Sequence, residues 1–399
     1  MRRAQNDKLR LTSYQRTMPR PGRPTQAEIN LDALEHNLAL IKKSAGDKKS
    51  VLAVVKADAY GHGAVRVART LEANGVDFLG VATCEEGMEL RQASINTPII
   101  VLGGSFAEQG PCVEEYDLIP VVYNLASAQA LSRSAGTGSP KIKVHIKIDT
   151  GMGRLGILPG QIKPFFEELS KLKGLEIHGV LTHLADTNGD SEAGNEFTRR
   201  QIDLFQQSID EINRMGIHPS YTHLANSAAI ISSLPHACNL VRPGIMLYGI
   251  YPARGMKPTI GLEPVMRIIT KIISLKEVPR GTTVSYGRTF TCERESLIAA
   301  LPIGYADGYS RALSNRGEVL VRGKRAPVAG VVCMDMTMID ATGIPEVALY
   351  DEVVLLGSQG TEQITAQEIA DRTHTIPYEV LCAVSARVPR VYYQKGKPV

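Results

Sequence analysis

Val51-Leu52-Ala53-Val54-Val55-Lys56 is an unbroken apolar run that ends on an amine, and Ala57-Asp58-Ala59-Tyr60-Gly61-His62-Gly63 follows it directly. Such a run reads as a strand buried on both faces. Seven further β-branched runs follow at residues 77–82, 98–102, 117–122, 141–148, 176–182, 219–224 and 239–244. Segments of helical period lie between them, at 62–74, 84–94, 124–135, 160–172 and 195–215. Eight strand–helix repeats over roughly 200 residues predict an α/β fold, a (β/α)8 TIM barrel, ahead of the runner-up, an open doubly wound sheet.

Beyond Glu263 the helical period stops. Runs at Val265–Val278, Leu297–Leu301, Val319–Val321, Val328–Val332 and Val353–Leu356 are separated by Gly, Pro, Asn and Asp, which predicts a mainly β second domain. The expected organisation is a basic, disordered tail over 1–26, a barrel over 27–262 and a β domain over 263–399. In the tail, Arg2, Arg3, Lys8, Arg10, Arg16, Arg20 and Arg23 face only Asp7.

Among 399 residues, 22% are charged and 43% hydrophobic, an ordinary balance for a globular protein large enough to build two cores. A formal charge of +4 is too small for a nucleic-acid footprint. No apolar stretch has the length of a membrane span or a signal-peptide core, which predicts a cytoplasmic protein. The six cysteines, at 84, 112, 238, 292, 333 and 382, form no C-x-x-C pair, so neither a disulfide framework nor a metal site is expected.

Barrel enzymes carry their chemistry where the strands end. Lys56 is expected at the end of the first strand, Lys147 at the end of the fifth, His183 after the sixth, Asn226-Ser227 after the seventh and Arg242 at the end of the eighth. A desolvated lysine loses its proton more easily and can attack a carbonyl, although most strand-end lysines only snorkel to water. The commonest soluble carbonyl for a protein lysine is pyridoxal phosphate, which needs a phosphate cradle. Asn226-Ser227 opening a helix, with Gly244-Ile245 leaving the last strand, supplies a candidate, with Ser227 as helix cap and phosphate donor together.

Arg242 enters an apolar strand end, where a guanidinium finds either a salt bridge or a ligand such as a pyridine nitrogen. Asp149-Thr150-Gly151-Met152-Gly153-Arg154 can fold Arg154 over the mouth to bind a carboxylate, or leave it in solvent. His183 reads equally as a stacking group and as a satisfied strand-end histidine. In the β domain, Ser285-Tyr286-Gly287, Gly304-Tyr305 and Cys333-Met334-Asp335 read as loop tips, and their tyrosines reach a barrel mouth only where another subunit or domain covers it.

Taken together and in order, these segments resemble bacterial alanine racemase, from about Ala27 to Arg390. The resemblance rests on Val55 to Gly63, Lys147 to Gly156, Asn226-Ser227, Arg242-Pro243-Gly244, Ser285-Tyr286-Gly287, Cys333-Met334-Asp335 and Ile376-Pro377-Tyr378-Glu379. It implies that Lys56 holds pyridoxal phosphate as a Schiff base, with Tyr60, Asn226, Ser227, Gly244, Ile245 and Tyr378 around the phosphate, Arg242 at the pyridine nitrogen and His183 nearby. It implies two bases, Lys56 for the proton of D-alanine and Tyr286 for that of L-alanine, with Arg154, Met334 and Tyr305 at the substrate. Lys147 is expected to carry an N-carboxyl group. The family's homodimer implies shared active sites, and its product implies a supply of D-alanine to peptidoglycan. One departure is visible: Asp58 stands where the family commonly has Asn.

The same residues leave open a racemase of broader specificity, acting on serine or lysine. A non-catalytic pyridoxal-phosphate carrier on the same barrel would lack the β domain. A decarboxylase of similar architecture would call for a catalytic cysteine, for which Cys333 is the candidate.

Overall fold

The computed structural model describes residues 22–46, 48–135, 140–187, 192–256 and 259–399. The expected tail thus lies outside the described residues up to 21. Its end is not loose. Arg23 forms a two-point ion pair with Asp307 at 2.6 and 2.9 Å, and the Thr25 hydroxyl, fully buried, donates to the Pro302 carbonyl at 2.7 Å.

The chain divides into two compact units. One comprises the described residues up to Asp32 together with Pro264–Val399, and the other is Ala33–Glu263. The expectation that residues from 27 onward open the barrel is corrected here. β1 (Gln26–Asn30) pairs antiparallel with Met266–Lys271 and parallel with Arg390–Gln394, so its backbone hydrogen bonds are spent in the β unit. Pairing of this range between the two ends of the chain leaves no local signature in the sequence.

The barrel strands are β2 (Ser50–Val54), β3 (Phe78–Val81), β4 (Ile99–Val101), β5 (Leu118–Val122), β6 (Ile142–Lys147), β7 (Leu175–Leu181), β8 (Tyr221–His223) and β9 (Leu240–Val241). All are parallel, with the order β8-β7-β6-β5-β4-β3-β2-β9. Among the described residues no ladder joins β8 to β9. The Asn239 amide spans that gap instead, donating to Ser220 O at 2.8 Å and accepting from Thr222 N at 2.9 Å, and Arg242 N donates to Ala225 O at 2.9 Å. The runs that read as strands are strands because both faces are covered; Val51, Leu52 and Ala53 are all but inaccessible, as are Ile99, Ile100 and Val101. Each such Val, Leu or Ile stabilises the fold by about 1.5–3 kcal/mol.

Helices at Ala64–Ala73, Cys84–Gln92, Leu125–Ser134, Ile162–Leu169 and Glu192–Arg214 cover the strands, close to the expected spans. Thr83 and Glu86 form a reciprocal capping box at the second of these.

In the β unit the main sheet runs Lys324–Pro327, Glu318–Val321, Glu352–Gln359, Met266–Lys271, β1 and Arg390–Gln394. A smaller sheet joins Ser274–Val278, Ser296–Leu301 and Thr337–Asp340. Val328–Val332 is not the strand its composition predicts; the hairpin partner of Glu318–Val321 is Lys324–Pro327, and Val328 keeps only an isolated bridge to Ile339. The Arg322-Gly323 hairpin, with both residues at positive φ, sets that register.

Candidate active site at the barrel mouth

Lys56 does not end a strand. β2 stops at Val54, and Lys56 opens a single turn in which Ala57, Asp58, Ala59 and Tyr60 all have φ near +53° and ψ between 41° and 52°. That is a left-handed turn of four L-residues, each costing about 1–2 kcal/mol. It persists because its ends are fixed. Ala59 N donates to Val55 O at 2.9 Å, and Ala57 N donates to Glu86 Oε1 at 2.7 Å. Strain of this kind, held by its surroundings, belongs to sites that place one group exactly where it is needed.

The turn buries Tyr60 against Tyr248, with ring centroids 5.0 Å apart, and His62 stacks on the Tyr248 ring at 4.4 Å. Gly244 comes within reach of the Tyr60 hydroxyl: a Cβ on Gly244 would stand 2.7 Å from it. Gly244 N donates to Ser227 Oγ at 2.8 Å. Tyr60, Ser227 and Gly244 thus converge, with Ile245 starting the buried turn that follows. Ser227 is not the helix cap. Asn226 takes that role, its side chain accepting from Ala229 N at 3.0 Å, because its extended backbone lets the carboxamide fold over the first turn. The Ser227 hydroxyl accepts from Gly244 and keeps its own proton for another acceptor.

Lys147 is the last residue of β6 and is buried. Burial first, and then Arg154, Arg242 and Lys56, bring its amine down to about 8, against which Asp149 alone acts in the other direction. Burial first, and then Arg242, Lys147, Arg154 and Lys56, press His183 down to about 3, so it is neutral. The structure therefore gathers Lys56, Lys147, Arg154, Arg242 and His183 in one electrostatic neighbourhood. Asp149 Oδ1 accepts from Gly151 N and Gly153 N at 2.9 and 3.1 Å, which folds the loop carrying Arg154, itself exposed.

Among the described residues Arg242 has no salt bridge. Its Nη1 donates to His223 Nδ1 at 3.0 Å, and its Nη2 donates to His183 Nδ1, Thr182 O and Leu224 O at 2.9–3.1 Å. Nε is in none of these bonds. Burial lowers the guanidinium only to about 10, so it stays charged at neutral pH.

Tyr286, Tyr305, Met334 and Tyr378 belong to the β unit. Ser285 Oγ donates to Val331 O at 2.6 Å, Tyr305 N donates to Cys333 O at 3.0 Å and Ala306 N donates to Met334 O at 3.0 Å, so three of the predicted loops form one surface. Tyr286 is 73% exposed there, Tyr305 42% and Met334 53%. Tyr378 lies in the first turn of the helix Pro377–Cys382, where burial pushes its phenol to about 12 and keeps it a hydroxyl donor.

Models of the N-terminal and C-terminal domains of alanine racemase match residues 29–252 and 265–392. The chain belongs to the alanine racemase family. It is 48% identical to the alanine racemase of Halothermothrix orenii over 373 residues, which cover 94% of this chain and 98% of that one. Among solved structures, the alanine racemase of Clostridium difficile superposes with a TM-score of 0.89 at 38% identity, covering 95% of this chain and 98% of the other. The enzyme from Bacillus anthracis with bound L-Ala-P gives 0.89 at 37% identity, covering 95% and 97%. The family is one of pyridoxal-phosphate-dependent isomerases, and the match to its C-terminal domain sets aside the carrier and decarboxylase readings.

The residues present fit that cofactor. A cluster of cations with little opposing carboxylate suits a phosphate and a substrate carboxylate; the Ser227 hydroxyl, which accepts from Gly244 N, can donate to a phosphate oxygen; and the charged Arg242 retains N–H groups for a ring nitrogen.

The departure at Asp58 has a structural account. Its exposed carboxylate accepts from Ala64 N at 2.7 Å, satisfying the first orphan amide of the following helix, a task that an Asn oxygen performs equally. Sequence reasoning overlooked His145, His178 and His223. The available signal was a histidine within otherwise apolar strand runs, as in Val144-His145-Ile146.

Proposed function

We propose that Lys56 and Tyr286 are the two proton carriers of alanine racemisation, with Tyr286 reaching the barrel mouth from the β unit of a second copy of the chain. The observation that carries the site assignment is the cation cluster of Lys56, Lys147, Arg154 and Arg242 beside the Tyr60, Ser227 and Gly244 cradle. Support for the homodimer comes from Tyr286, Tyr305 and Met334, large side chains gathered on one surface and left in water by a single copy.

Lys56 anchors the cofactor through Nζ. Pyridoxal phosphate, when bound, supplies an electron sink for the carbon that loses its proton. Tyr60, Ser227, Ile245 N–H and Tyr378 hold the phosphate, with Gly244 leaving room for it while its N–H fixes the Ser227 hydroxyl, and with Asn226 fixing the segment that carries Ser227. Arg242 donates to the pyridine nitrogen, and donation from a charged group that keeps its proton limits how much charge the ring accepts, which favours return of the proton to the same carbon. Arg154 and Met334 N–H bind the substrate carboxylate, and Tyr305 narrows the approach.

Lys56 Nζ takes the proton from D-alanine and returns one to make it, while Tyr286 Oη does so for L-alanine on the opposite face. His183, neutral and held by Arg242, lies beside this pair. Lys147, with its amine near 8, combines with CO2 to give a carbamate and a proton, and the resulting anion orients Arg154. D-alanine made this way feeds peptidoglycan synthesis. None of the six cysteines is in a disulfide, which suits a reducing cytoplasm, and among the described residues no helix is long and apolar enough to cross a membrane.

The test is α-proton exchange of L- and D-alanine in D2O for the wild type and Tyr286→Phe, with L-serine and L-lysine alongside. The variant is expected to lose L-alanine turnover by roughly 10²–10⁴-fold, the worth of one positioned acid–base group, while exchange of the D-alanine proton survives. Equal loss for both isomers would remove Tyr286 from its one-sided role. Faster exchange of serine or lysine than alanine would assign the broader specificity.

A further inference from the structure

Four side chains inside the barrel unit form one continuous hydrogen-bonded line. Arg242 Nη1 lies 3.0 Å from His223 Nδ1, His223 Nε2 lies 2.8 Å from His145 Nδ1, and His145 Nε2 lies 3.2 Å from His178 Nδ1. His145 and His223 are inaccessible to solvent, and His178 is half-buried.

The strands are adapted to build this line. Val144 of β6 pairs with Ile177 of β7, yet His145 pairs with Gly179, so His178 is the extra residue of a bulge. Bulges re-aim side chains. Gly179 is required beside it, because a Cβ there would stand 2.5 Å from both Cε1 and Nδ1 of the His145 ring.

Donor chemistry gives the line a direction. Arginine only donates, so His223 Nδ1 accepts and its proton sits on Nε2. Burial foremost, and then the neighbouring cationic and imidazole groups, keep His223 and His145 neutral, with one proton each. His223 Nε2–H therefore donates to His145 Nδ1, and His145 Nε2–H donates to His178 Nδ1. One proton arrangement satisfies every member.

We infer that His223, His145 and His178 are positioning residues for the reaction, a one-way hydrogen-bonded line that fixes the orientation of the Arg242 guanidinium. The inference rests on the reading of Arg242 as the donor to the cofactor's ring nitrogen. It explains why a buried cation is given imidazole acceptors in place of a carboxylate: they orient its N–H groups without neutralising it.

Nitrogen-15 NMR of histidine-labelled, cofactor-free protein reads the tautomers directly, and the Nε2–H form is expected at His223, His145 and His178. His145→Leu breaks the line, whereas His145→Gln keeps its direction, offering an oxygen to His223 and an NH2 to His178. Leu is expected to lower kcat/KM by up to about tenfold, the upper scale of one neutral hydrogen bond, and to displace the absorption band of the bound cofactor. Gln is expected to restore both to within about threefold, a span below ~1 kcal/mol.

An Nδ1–H tautomer at His223 or His145 in the wild type overturns the inference. So does a Leu variant with wild-type kcat/KM and band, or a Gln variant as impaired as Leu. Should the Leu variant not fold, the wild-type tautomers and the Gln variant decide. Arg242→Lys tests the reading underneath: a cofactor band unmoved by that change, with the tautomers as expected, removes Arg242 from the ring nitrogen and leaves the line intact.

Discussion

Replacing Gly244 by alanine tests whether the contact of Tyr60, Ser227 and Gly244 is a built anion cradle. The added Cβ would stand 2.7 Å from Tyr60 Oη and 3.8 Å from Ser227 Oγ. The second distance is ordinary, so the bond from Gly244 N to Ser227 Oγ survives. The first is not, and the phenol must withdraw by roughly 0.5–1 Å to reach normal contact. Tyr60 is 6% exposed and packed on Tyr248, so the adjustment takes its hydroxyl out of line with little change elsewhere. One hydrogen bond to a charged phosphate is thereby lost, about 1.5–3 kcal/mol. The Kd for pyridoxal phosphate, titrated by absorbance into cofactor-free protein, should then rise about ten- to a hundredfold. Binding of pyridoxal without its phosphate should not change. Gly160→Ala, where an added Cβ meets nothing within 4 Å, is the control and should alter stability by less than about 0.5 kcal/mol. A Kd within twofold of wild type, or an equal loss for pyridoxal itself, would refute the cradle.

Asp58→Asn should leave stability within about 0.5 kcal/mol, since an oxygen still meets Ala64 N, whereas Asp58→Ala should cost about 0.5–2 kcal/mol in urea denaturation. The sign at Lys147 follows from its lowered value: burial favours the neutral amine, so below about 8 the cation prevails and its CO2-reactive fraction falls roughly tenfold per pH unit. Carbamate, followed by 13C NMR with labelled CO2, should therefore grow from pH 6 to 8; absence of label at pH 8 would exclude the modification. In the β unit, Arg325 bonds Glu318, Glu362 and Glu368 at 2.7–2.9 Å, and Arg372 joins Glu368 at 2.9 Å. Arg325→Met leaves three partly exposed carboxylates facing one arginine and should lower stability by about 1–2 kcal/mol, less at high salt; unchanged urea midpoints at low salt would show the network to be inert.

The strands and helices of the barrel were legible because their cause is local. Runs such as Val51–Val55 and Ile99–Val101 need only a covering layer on each face, and their composition states that need. The positions of Lys147, Arg154, His183 and Arg242 followed from knowing where strands end. Lys56 was expected to end a strand but opens a turn instead, since four successive left-handed residues contradict the preference of every residue involved. They hold because Glu86 and Val55 bind the turn from outside it.

What the sequence determined by itself was the barrel, the β domain after residue 263 and the residue types at the mouth, because hydrophobic period and donor chemistry travel with the residues. The tertiary structure alone decided which partners those residues meet. It drew β1 into the β unit, gave the cap to Asn226 and freed the Ser227 hydroxyl, turned Asp58 to Ala64, and set three histidines from different strands in line behind Arg242. The β1 pairing, the Gly244–Ser227 bond and the histidine line depend on contacts between positions far apart in the chain, whose register is settled only when the strands close on one another; the Asn226 cap and the Asp58–Ala64 bond are local but need the backbone that this closure imposes.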